Sequence, residues 1–127
     1  MDKHTRGQTA YISGHAAEQA ALNLLRKKGY KLVAQNVRMP RGSGANELDL
    51  VVYRQNILVF VEVKKRQSLD EAAFCITPRM QQRLLNAGAV FLSWHPEFEN
   101  FDCRFDVILF APNEPPVHLE NVLWEGT

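Results

Sequence analysis

The stretch that most constrains this chain is ILVFVEVKK, Ile57–Lys65. It is apolar on both faces from Ile57 to Val61, then ends in Glu62, Lys64 and Lys65. A short continuous apolar run of β-branched and aromatic residues predicts a strand buried on both faces. A carboxylate at the end of such a strand is costly unless it finds a partner. The preceding run ELDLVVY, Glu47–Tyr53, also reads as a strand, and the short RQN turn between the two predicts an antiparallel hairpin.

Side chains alternate along a strand, so Glu47 and Asp49 share one face, and Glu62 and Lys64 share one face. If Tyr53 pairs with Leu58, Asp49 falls directly opposite Glu62. If Tyr53 pairs with Asn56, Glu47 takes that place and Asp49 sits on the diagonal. Either register gathers three carboxylates and a lysine on one face, whereas a one-residue slip would separate them. The apolar pattern does not choose, because both faces of ILVFV are hydrophobic.

Opposed acids repel. Lys64 could neutralise them as a structural salt bridge, or a divalent cation could. Magnesium prefers hard oxygen ligands, commonly one or two carboxylates with waters. Asp49, Glu62 and the backbone carbonyl of Val63 suit it, with manganese as a substitute. Lys64 would then stand beside a water held by the cation, placed to assist its deprotonation or to stabilise phosphoryl charge. This cluster is expected near the sheet edge and open to solvent.

The rest of the chain predicts the order α-β-β-β-α-β-β. Ser13 is a candidate cap for a helix to Lys28, with the stripe Ala17, Ala20, Ala21, Leu24, Leu25 and Gly29 as its stop. Tyr30–Arg38 reads as a strand and Met39–Asn46 as a loop. Thr77-Pro78 opens a second helix to about Trp94, with Met80, Leu84, Ala87, Gly88 and Phe91 inside. CRFDVILFA, Cys103–Ala111, and VHLENVLW, Val117–Trp124, supply the last strands. The unit from the Glu62 strand through the second helix to Arg104–Phe110 predicts a βαβ crossover with parallel strands.

The chain of 127 residues suits one domain over 13–127, with a flexible tail over 1–12. No apolar stretch approaches a membrane span, and the first residues lack a secretory block, so a cytoplasmic protein is expected. Cys75 and Cys103 stand apart without metal-ligand spacing and read as reduced core or near-core thiols. His15, His95 and His118 read as structural or surface residues, Asp106 as a structural partner of Arg104, and Trp94 and Trp124 as core or interface. A net charge of +1 neither requires nor excludes a nucleic-acid partner.

The spacing of Asp49 and Glu62-Val63-Lys64 resembles the restriction-endonuclease-like nuclease superfamily. Four blocks in order, GHAAEQAALNLLRKKGY, ELDLVVYRQNILVFVEVKKR, ITPRMQQRLLNAGAVFL and CRFDVIL, resemble the bacterial YraN-like family, which is similar in fold and motif to archaeal Holliday-junction resolvases. The resemblance implies a restriction-endonuclease-like mixed α/β sheet flanked by helices. It implies a Mg2+-dependent DNA endonuclease acting on branched DNA, with Asp49, Glu62 and Lys64 as its core. Glu18 and Glu47 are further candidate ligands. Arg41, Lys65, Arg66, Arg79, Gln81 and Arg83 are candidate DNA contacts, with Arg38 and Arg54 also able to join a phosphate track. A homodimer would suit two symmetric cuts. Asn46 stands where the family usually has glycine, and Met80 where it usually has lysine. The alternative is a catalytically silent nucleic-acid-binding or assembly protein on the same scaffold.

Overall fold

A computed structural model describes the backbone over residues 3–123 and side chains over residues 15–123. The first helix, α1, spans Lys3–Lys27. It takes in Ser13, the expected cap; the side chains there, and Trp124, lie outside the described residues, as do the side chains of the expected tail over 1–12. The far end of α1 closes as the sequence predicts. Gly29 adopts φ +94°, its N–H donates to the Arg26 carbonyl, and the Tyr30 N–H donates to the Leu25 carbonyl. This double bond pattern is a Schellman stop, for which glycine carries no Cβ penalty.

Five strands follow: β1 Lys31–Val37, β2 Leu48–Arg54, β3 Ile57–Lys65, β4 Asp102–Phe110 and β5 Val117–Leu119. They form one mixed sheet in the spatial order β1-β2-β3-β4-β5. All neighbours are antiparallel except β3 and β4, which run parallel from Ile57↔Asp102 to Lys65↔Phe110. The expected crossover is therefore present. The β2–β3 register pairs Tyr53 with Leu58 and Leu50 with Val61, the first of the two registers above. β5 ends at Leu119, shorter than the expected run to Trp124, because Asn121 turns away at φ 53° and donates its N–H to Asp106.

Helices cover both faces. On one, Ala21, Leu22 and Leu25 of α1 pack on Leu50, Val52, Val59, Val61 and Ile108. The buried α1 stripe is Ala17, Ala21, Leu22, Leu25, so Leu22 takes the place expected for Ala20, which is exposed. On the other face lies α3, Pro78–Trp94, capped by Thr77, whose Oγ1 accepts from the Met80 N–H at 3.1 Å. Its buried residues are the five expected from helical spacing: Met80, Leu84, Ala87, Gly88 and Phe91. Gly88 allows close approach, since a Cβ there would lie 2.8 Å from Phe105. Phe60 stacks on Phe105 at 5.1 Å between ring centres and meets Phe91 edge-on at 5.7 Å. A short helix not expected from periodicity, α2 at Leu69–Phe74, also packs here through Ala72. It is too short to show a stripe, yet Ser68 accepts from the Glu71 N–H as a cap, and the Ser-Leu-Asp-Glu spacing carries that signal.

Cys103 is exposed on β4 rather than in or near the core, and Cys75 is half-buried. Trp94 is half-exposed at the end of α3. His95 stacks on Phe91 at 4.2 Å and pairs with Glu97 at 3.3 Å, a structural role as expected. Among the described residues no helix is long and apolar enough to cross a membrane.

Candidate metal centre

The register Leu50↔Val61 continues by alternation to Asp49 opposite Glu62 and Leu48 opposite Val63. The ladder does not run that far as backbone pairing. The Val63 N–H, which would otherwise face Leu48, donates to Asp49 Oδ2 at 2.8 Å. The Asp49 carboxylate thus replaces a backbone acceptor where β2 and β3 part. The Val63 carbonyl leaves the strand on that same edge. Lys64 lies 3.2 Å from Glu62 Oε1. Asp49 shares its face with Val51, and Glu62 and Lys64 share theirs with Leu58 and Phe60, all on the α3 side.

The cluster lies at the carboxyl end of β3, the middle strand, rather than near a sheet edge. It is also largely buried instead of open: Glu62 is 9% exposed. The physical reason is the crossover, which lays β4 against the free side of β3 and encloses the strand end.

Burial decides the electrostatics. Desolvation is the largest influence on Asp49, the nearby Glu62 charge adds to it, and the Val63 N–H only partly offsets them, so its carboxyl is pushed up from 3.8 to about 7. Glu62 is also raised, by desolvation first, with Lys64 opposing and Glu47 adding. Two acids held together near neutral pH share a proton or attract a cation.

The other sequence candidates divide. Glu18 is half-buried, and its charge helps raise Asp49. Its carboxylate accepts from the Asn36 amide nitrogen, which lies 3.2 Å from both oxygens. Glu47 is exposed and acts on Glu62 through its charge. Lys65, Arg66, Arg79 and Arg41 are exposed, and Gln81 is half-buried. Arg66 donates to the Lys65 carbonyl at 2.7 Å. Arg83 is engaged, donating from Nη1 to Asn46 Oδ1 at 2.7 Å. Arg54 stands at the opposite end of β2, where it donates to the Lys28 carbonyl at 2.8 Å and lies over the Tyr30 ring at 4.4 Å. It serves the fold there and cannot join a track at Asp49. Met80 is a core residue, so the position usually lysine in the resembled family points inward here. Among the described residues no group of three or more His, Cys, Asp or Glu side chains forms a ligand cluster. The oxygens that this strand end brings together are those of the Asp49–Glu62 pair and the Val63 carbonyl.

Asp106 lies on the α1 face and is fully buried. Arg104 donates to it twice, at 2.9 Å from Nε and 2.9 Å from Nη2. His118 Nε2 donates at 2.8 Å and the Asn121 N–H at 3.0 Å. Lys28 Nζ lies 2.8 Å from His118 Nδ1. An ammonium has no lone pair, so Nδ1 accepts and Nε2 carries the hydrogen that goes to Asp106. Arg104 also donates to the Tyr30 hydroxyl. Desolvation alone would raise Asp106, but the His118, Arg104 and Asn121 bonds outweigh it and hold the carboxyl below its ordinary value. The expected Arg104 partnership is present; the His118 and Lys28 contacts escape sequence reading because they depend on β5.

The five-stranded mixed sheet flanked by helices has a strand order consistent with a nuclease-like α/β fold. The chain belongs to the uncharacterised protein family UPF0102, whose model matches residues 17–110, and this is the YraN-like family that its sequence blocks resemble. A UPF0102 protein of Rhodopseudomonas palustris (strain BisB18) is 47% identical over 110 residues, covering 87% of this chain and 78% of that protein. One of Nitrobacter winogradskyi is 46% identical, covering 87% and 90%. One of Paramagnetospirillum magneticum is 44% identical over 112 residues, covering 88% and 87%.

Proposed function

We propose that the protein is a Mg2+-dependent DNA endonuclease, with branched DNA as its substrate class. The observation that carries this reading is the Asp49–Glu62 pair: two acids opposed across adjacent strands, mostly buried, both raised, with Lys64 at 3.2 Å from Glu62. A carboxylate pair without enough protein donors is a poor structural device and a good cation ligand set. Asp49, Glu62 and the Val63 carbonyl would hold the ion, and Mn2+ would replace Mg2+. Magnesium held there would supply Lewis-acid polarisation of the phosphodiester and acidity to a bound water. Lys64, kept in place by Glu62, can donate to a phosphoryl oxygen as charge builds there. The exposed Lys65, Arg66, Arg79 and Arg41 supply phosphate contacts whose strength falls with salt.

Purified protein assayed on junction, flap, single-stranded and duplex DNA tests this. Cleavage should require Mg2+ or Mn2+, fail with Ca2+, and favour branched substrates. DNA binding without cleavage on every substrate would leave the non-catalytic role. Undiminished cleavage by Glu62→Gln would place the activity elsewhere.

A further inference from the structure

The loop that feeds β2, Met39–Asn46, contains two glycines in the left-handed region, Gly42 at φ +83° and Gly44 at φ +70°. Backbone of this kind does not fix itself. Two side chains of α3, three residues apart and so on one helix face, hold it. Arg83 Nη1 donates to Asn46 Oδ1 at 2.7 Å, and Asn86 Nδ2 donates to the Gly44 carbonyl at 3.0 Å. Within the loop, the Ala45 N–H donates to Ser43 Oγ at 3.3 Å, and the Ser43 N–H to the Pro40 carbonyl at 3.2 Å. The helix is itself fixed, because its stripe packs on Phe60 and Phe105 and Gly88 admits the Phe105 ring. Asn46 immediately precedes Glu47 and stands three residues before Asp49.

We infer that Arg83 and Asn46 form a strap that sets the position of Asp49, so Arg83 is a positioning residue rather than a phosphate contact. This rests on reading Asp49 as a cation ligand. Packing in the α3 core is carried to the start of β2 through the strap, and the Asp49 carboxylate is thereby held against the Val63 N–H. A guanidinium already committed to an amide oxygen has fewer donors left for a phosphate.

The test compares wild type, Asn46→Ala, Arg83→Ala and the double variant in three measurements: amide exchange over residues 44–48, Mn2+ affinity, and the salt dependence of DNA binding. Each single variant should speed loop exchange and weaken Mn2+ binding by about threefold to fivefold, the size of one net hydrogen bond. The double variant should be no worse than either single one. The salt slope should be unchanged in all four. A flatter slope in Arg83→Ala, by about 0.9 of a unit, with Asn46→Ala like wild type in exchange and Mn2+ affinity, would make Arg83 a phosphate contact and overturn the strap. Additive effects of the two substitutions would overturn it too. A wild type that binds no Mn2+ would defeat the metal reading instead. The strap is then decided by exchange rates: equal, non-additive acceleration supports it, and unchanged rates refute it.

Discussion

On the α1 face of the sheet, Asp106 is fully buried and receives hydrogen bonds from Arg104, His118 and the Asn121 N–H. On the opposite face, Asp49 and Glu62 are mostly buried as well, but their neighbours include each other, and the Val63 N–H and Lys64 ammonium only partly offset that. Asp106 is therefore lowered and Asp49 raised, from the same ordinary value of 3.8. A buried acid surrounded by donors binds chain segments together; a buried pair short of donors is, in the proposed reading, left to take a cation.

The comparison breaks most visibly at its structural pole. Asp106→Asn leaves the half-buried Arg104 facing a neutral amide and should cost about 3 kcal/mol, read by urea denaturation at pH 7. The sign of the pH dependence follows from the lowered carboxyl. Its stabilisation is present above 3.8 and is lost as pH falls through its folded value. At the other pole, Glu62→Gln should lower cleavage by roughly a thousandfold and abolish Mn2+ binding, without comparable loss of stability.

A smaller effect with the opposite sign sharpens the contrast. The Asp49 carboxyl is raised, so its contribution to stability is present below 3.8 and is lost as pH rises through about 7. With chelator present, Asp49→Asn should therefore be more stable than wild type at pH 8, on the order of 1–2 kcal/mol, and the difference should vanish near pH 4. Denaturation curves at the two pH values check it. Lys64→Ala should destabilise, because it removes the cation that opposes desolvation of a largely buried Glu62. It should keep Mn2+ affinity while losing cleavage, measured by calorimetry beside the DNA assay.

Much of the frame was legible because it rests on local rules. The bounds Ile57–Lys65 and Pro78–Trp94 follow from apolar run length and from Thr77-Pro78, and the α3 stripe follows from helical period. Alternation placed Asp49, Glu62 and Lys64 together without settling the register, since both faces of β3 are apolar. Other features depend on distant partners. The burial of the pair requires β4 beside β3. Asp106 gathers donors from β5 and the residues after it. Arg54 and Arg83 read as free cations until Tyr30 and Asn46 are seen beside them. A basic side chain in a sequence reveals its charge but not whether the fold has already engaged it.

The central claim is that Asp49 and Glu62 hold a divalent cation. Crystals grown with Mn2+ and measured at a wavelength where manganese scatters anomalously test it most directly. The account predicts one strong peak about 2.1 Å from a carboxylate oxygen of each residue, with the Val63 carbonyl completing the protein ligands. A map without a peak there, at millimolar Mn2+ and pH 8, with Lys64 still on Glu62 and the Val63 N–H still on Asp49, would contradict it.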